Sequence, residues 1–155
     1  MKRNIALILC FAFVMEAISW AGLGSDSAMY VGGTVSALKE GTEGKISAKD
    51  EKVFVFEHAG EKFTIPFDRI NDLEYGQKAG RRLGVAIAVT WVALFSKKRK
   101  HFLTIGYNDE NDKQQAAVFE LGKNTVRVTL ASMEARTGKK VDYEDDEARK
   151  SGRGN

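Results

Sequence analysis

The 155-residue chain holds only two histidines and one cysteine, so the groups most used for proton transfer, metal ligation and thiol chemistry are scarce. A metal site needs three or four ligands in repeatable geometry, and neither His58 nor His101 has a spaced partner. His58 follows Glu57 beside a turn and reads as a surface residue. His101 closes a basic run and reads as a polar strand end, whose protonation below pH ~6.5 would add to the local positive charge. The serines lack a nucleophile-elbow context, so no Ser-His-Asp arrangement is on offer. The glycines of "GQKAGRRLG" have neither the spacing nor the Lys-Ser/Thr ending of a phosphate loop. No catalytic residue, metal or cofactor is expected, and the chain reads as non-enzymatic.

The residues that do form a pattern point to association rather than reaction. From Tyr75 to Asn108 there is no acid, while Lys78, Arg81, Arg82, Lys97, Lys98, Arg99 and Lys100 supply seven positive charges. Between the basic flanks, Leu83 to Ser96 form fourteen residues without charge or proline. Such a length without a breaker favours a helix. Its apolar side chains, Leu83, Val85, Ile87, Val89, Trp91, Val92, Leu94 and Phe95, would cover nearly every face. A helix that is apolar all round is buried in protein or in lipid.

Length separates these uses. Fourteen residues reach about 21 Å as a helix, short of a hydrocarbon core of about 30 Å. Shallow insertion therefore fits better than crossing. Arg81, Arg82, Lys97, Lys98, Arg99 and Lys100 would contact anionic lipid, each contributing about 1 kcal/mol near such a surface. The other uses are an interface with a protein partner or a second copy of the chain, and a cap on an open side of the chain's own sheet. Gly76, Gly80, Gly84 and Ala88 recur every four residues, which in a helix makes a smooth face for close packing. The favoured reading is the simpler one, in which Gly76 ends a strand and Gly80 lies in a loop, leaving only Gly84 and Ala88, because exposed glycines weaken a soluble helix. Nucleic acid is not an expected partner, because the basic residues are not interleaved with stacking aromatics.

The elements around this segment read as short strands. "AMYVGG" (Ala28 to Gly33) runs into "TVSAL", and "TEGKISAKD" follows a turn at Gly41. "KVFVFEH" and "KFTIPF" flank the tight turn "AGE" and form the clearest hairpin. Pro66, the only proline, suits the end of an edge strand. "DRINDLEYG" ends at Gly76; beyond the insert, "HFLTIGY" and "QQAAVFEL" make a second hairpin across "NDENDK". Asn124 then offers an N-cap, Val126, Leu130, Met133 and Thr137 follow at helical spacing, and Gly138 is placed to stop the helix. The expected fold is mainly β (α+β): a bent antiparallel sheet or open barrel of about seven strands. One C-terminal amphipathic helix closes it, and an apolar helical insert lies between strands. The acidic and Gly-rich end, 142–155, reads as a disordered tail.

The first residues have the anatomy of a signal peptide: Lys2 and Arg3, an apolar stretch from Ile5 to Met15, then Ser19 and Ala21 at the −3 and −1 positions of a cleavage site. Residues 1–21 are expected to be removed, or else to remain as an N-terminal anchor, and 28–141 to form the domain. Cys10 would leave with the first segment, and the mature chain would then have no thiol chemistry.

The order of elements resembles the pleckstrin-homology-like superfold, including its GRAM-type variants. More narrowly it is similar to small exported bacterial proteins of uncharacterised function. The stretches carrying the likeness are a "GG" strand start at Gly32–Gly33, "IPFDRINDLEYG" at Ile65–Gly76, "KKRKHFLTI" at Lys97–Ile105 and "EARTGKKV" at Glu134–Val141. The resemblance implies a binding module of periplasmic or secreted location. With the insert, it suggests peripheral membrane association through Leu83–Phe95 and the flanking cations; the alternative is a protein-binding or self-associating module using the same segment.

Overall fold

The computed structural model describes residues 26–76 and 100–154. The strands are β1 (Ser27–Gly33), β2 (Thr42–Ser47), β3 (Val53–His58), β4 (Glu61–Pro66), β5 (Ile70–Gly76), β6 (Phe102–Asn108), β7 (Gln114–Leu121) and β8 (Asp142–Tyr143). Helix α1 spans Val126–Thr137 and α2 spans Asp146–Arg153. The eight strands form one mixed sheet in the order β4-β3-β2-β1-β7-β6-β5-β8, open between β4 and β8. Two antiparallel meanders, β1 to β4 and β5 to β7, are joined where β1 pairs with β7. Pro66 ends the edge strand β4, where the donor it lacks is not needed by a further neighbour.

The sheet is strongly bent. In a flat sheet β3 and β7 would stand about 14 Å apart, three strand spacings. Yet the Phe54 and Phe56 rings of β3 lie 5.5 and 5.1 Å from the Phe119 ring of β7. The bend is built into β1. Its pairing with β7 skips from Tyr30 to Gly32, leaving Val31 as a bulge, and bulges increase local twist and curvature. Gly33 follows with φ +142°, and a Cβ there would lie 2.2 Å from the Ala116 carbonyl oxygen. Gly32 and Gly33 thus end a strand rather than start one, and "TVSAL" leaves the sheet for turns.

The main core fills the inside of the bend with Tyr30, Phe54, Phe56, Ile65, Leu73, Leu103, Ile105 and Phe119. Helix α1 closes it with Val126, Leu130 and Met133, the predicted apolar positions. Thr125 occupies the N-cap in place of Asn124, and Gly138 stops the helix at φ +68°. "EARTGKKV" has a local logic. The Glu134 Oε1 accepts the Val141 N–H at 2.9 Å, and the Thr137 hydroxyl donates to the Met133 carbonyl at 2.7 Å.

Two further expectations need correction. Among the described residues there are eight strands rather than about seven, because Asp142–Tyr143 pairs parallel with Glu74–Tyr75 at the sheet edge. The segment read as a disordered tail carries both that strand and α2. Asp145 accepts the Ala148 N–H at 2.7 Å as N-cap, Asp146 and Glu147 occupy the first turn, and Lys150 and Arg153 the last. That arrangement complements the helix dipole at both ends.

Candidate functional site

One row of cross-strand partners defines the end of the sheet at which the insert joins: Glu43, Met29, Glu120, Phe102 and Gly76, on β2, β1, β7, β6 and β5. Residues 77–99 leave after Gly76 and return just before Lys100, so both attachments lie on adjacent strands. Residues 1–25 enter at Asp26, before the first residue of β1. Met29 and Gly76 are three strand spacings apart, about 14 Å along the sheet. The two apolar stretches of the chain therefore connect to one end of the domain.

A hydrogen-bonded chain ties that end together. The Tyr75 hydroxyl lies 2.6 Å from His101 Nδ1 and 3.2 Å from Ser151 Oγ, and the Ser151 hydroxyl donates to the Ala148 carbonyl at 2.9 Å. One assignment uses every proton once: Nδ1–H of His101 donates to Tyr75, Tyr75 to Ser151, and Ser151 to Ala148. The chain runs from β6 through β5 into α2. Burial raises the Tyr75 hydroxyl above its ordinary value. Burial chiefly, with the charge of Lys123 adding, lowers His101, against an opposing effect of Glu120. His101 is thus held neutral to lower pH than a free imidazole, which reduces the charge it was expected to add.

Helix α2 can approach only because of Gly152. A Cβ there would lie 2.6 Å from the Tyr143 ring, 3.0 Å from Leu130 and 3.3 Å from the Tyr75 ring. Arg153 stands 5.9 Å over the Tyr143 ring and 3.6 Å from Glu134. The cleft between α2 and the roots of the insert, lined by Tyr75, Lys100, His101, Glu147 and Ser151, measures about 30 Å³. That is room for about one water, not for an organic substrate. A more open cleft of about 310 Å³ lies beside β1 between Glu43 and Glu120. Its carboxylates make it a poor seat for an anion. Among the described residues no cluster of His, Cys, Asp and Glu is grouped to hold a metal, and no helix is long and apolar enough to cross a membrane.

Of the residues predicted to contact membrane or partner, Leu83, Val85, Ile87, Val89, Trp91, Val92, Leu94 and Phe95 lie outside the described residues. So do Arg81, Arg82, Lys97, Lys98 and Arg99. Lys100 is placed: its ammonium meets Glu120 at 2.6 Å, with both side chains about a quarter exposed. Of the four-residue glycine series, Gly76 ends β5 and the rest lie outside the described residues. His58 sits at the exposed end of β3, its Nδ1 2.7 Å from the Glu43 carbonyl.

Sequence reasoning missed Tyr75, Ser151 and Gly152. The last two lie in the segment read as a tail, and the usable signal was Asp145 followed by acids and then bases over one short helix. Comparison with protein-family models and with curated protein sequences finds no match for this chain.

Proposed function

We propose that this is a non-enzymatic, exported, pleckstrin-homology-like module that associates peripherally with a membrane through Leu83–Phe95 and its basic flanks. The strand order, with a meander of four joined to a meander of three and a closing α1, supports the superfold resemblance. The single observation that carries the membrane reading is the one-ended attachment. The insert and the N-terminal apolar segment join strands about 14 Å apart along the sheet, at the same end of it. During export the N-terminal segment would hold that end toward the bilayer, so the insert would meet lipid first. Apolar area would supply the binding energy, and the cations would add attraction to anionic headgroups that salt weakens.

Vesicle sedimentation tests the reading with chains that keep or lack residues 1–21. Both forms should pellet with anionic vesicles and less with neutral ones. The double substitution Val89→Asp and Trp91→Asp should leave the shorter form in the supernatant, with circular dichroism reporting whether the sheet is retained. A shorter wild-type form that stays in the supernatant with anionic vesicles contradicts the proposal. A concentration-dependent dimer in lipid-free buffer, seen by sedimentation velocity, would favour a self-associating module instead.

A further inference from the structure

The sheet buries side chains on both faces. Strand alternation sends Leu103, Ile105, Phe119 and Tyr75 into the main core and sends Phe102, Thr104, Val118 and Glu74 the other way. On that outer face Val31, Phe102 and Val118 form a second cluster with Met29 packed against it. These side chains are almost fully buried: Phe102 is 1% exposed, Val118 0%, Val31 2%, and the polar Thr104 and Glu74 1% and 5%. Burial on this scale needs atoms above the face. Among the described residues the helices supply them only on the other side, where Leu130, Met133 and Ala148 join the main core.

We infer that the occupant is the chain's own apolar run, Leu83–Phe95, seated with one side across β1, β7, β6 and β5. Three observations select it. The segment that contains it, 77–99, leaves after Gly76 and returns before Lys100, both beside Phe102, so short connections tie it to the rim of the face. The run's reach as a helix, about 20 Å, is enough to cross four strands about 14 Å from first to last. Its charge is complementary. The face carries Asp72 and Glu74 on β5 and Glu120 on β7, and among the described residues the buried Asp72 Oδ2 has no hydrogen-bond partner. The flanks bring only cations, and Lys100 already stands on this face against Glu120 at 2.6 Å. Residues 1–25, the rival occupant, carry Lys2 and Arg3 only at their far end. A run that is apolar all round then has one side for the sheet and one side for lipid. Docking stands without the membrane reading; the use of the second side rests on it.

Disulfide trapping in lipid-free buffer tests the docking. In the full chain with Cys10→Ser, Met29→Cys serves as anchor, and each position from 83 to 95 is changed to cysteine in turn. Asp72→Cys is a second anchor, so that a local effect at one cannot decide the result. Docking predicts rapid intramolecular trapping at positions on one side of the run and protection of the positions on the other. No trapping at either anchor, or trapping only between chains, overturns it. Vesicle sedimentation of the same proteins separates the two ideas. Trapping without vesicle binding keeps docking and defeats the membrane reading, whereas vesicle binding without trapping does the reverse.

Discussion

Gly33 is the residue on which the shape of the sheet most depends. Its φ of +142° is strained for any other residue, and a Cβ would overlap backbone rather than a movable side chain. Gly33→Ala should therefore destabilise the domain by roughly 1–3 kcal/mol, read as a lower urea midpoint; an unchanged midpoint would mean that β1 need not bend there. His101 makes a second residue-scale prediction. Its folded pKa lies below its ordinary 6.5, so between the two values the unfolded chain binds more protons. The stabilising contribution of neutral His101 is present above about pH 6.5 and is lost as pH falls toward the folded pKa. Thermal midpoints should drop across that window in the wild type and drop less in His101→Gln; parallel curves would remove His101 from the account.

At the scale of elements, α2 is held by a cap, a glycine and a shared hydrogen-bond chain rather than by a large apolar face. Asp145→Ala removes the acceptor for the Ala148 N–H and should cost about 1 kcal/mol. The loss should appear as faster hydrogen exchange in 146–153, with β3 and β7 unchanged. Equal acceleration throughout would mean that α2 does not open separately. The seven longer strands and α1 were readable because alternation and helical spacing are local signals. Strand β8 was not, since two residues carry no period and their pairing with β5 is set by tertiary packing. Helix α2 was hidden by its composition: acids and glycines suggest a tail unless their order is read against the helix dipole. The bulge at Val31 and the catch at Gly152 depend on partners distant in sequence, Val118 and Tyr143, which no local pattern names.

At the scale of the whole molecule, the bent sheet has one face filled by its core and α1 and a second buried face with an apolar cluster on β1, β6 and β7 and carboxylates on β5. One end gathers Asp26, Gly76 and Lys100, and the chemistry of the chain is concentrated there in a run with no acid between Tyr75 and Asn108. The basic flanks and apolar middle were evident from the residues alone. That they join the domain beside the N-terminal segment was not, because it follows from the pairing of β1 with β7. Quenching of Trp91 by lipids brominated at graded depths distinguishes shallow insertion of the run from crossing. With Trp20→Phe, Trp91 is the only tryptophan of the chain. Peripheral association predicts the strongest quenching from shallow labels on anionic vesicles, little from labels at the bilayer centre, and loss of quenching in Val89→Asp. Maximal quenching at the centre would mean that the run crosses, and no quenching at any depth would mean that it does not meet lipid at all.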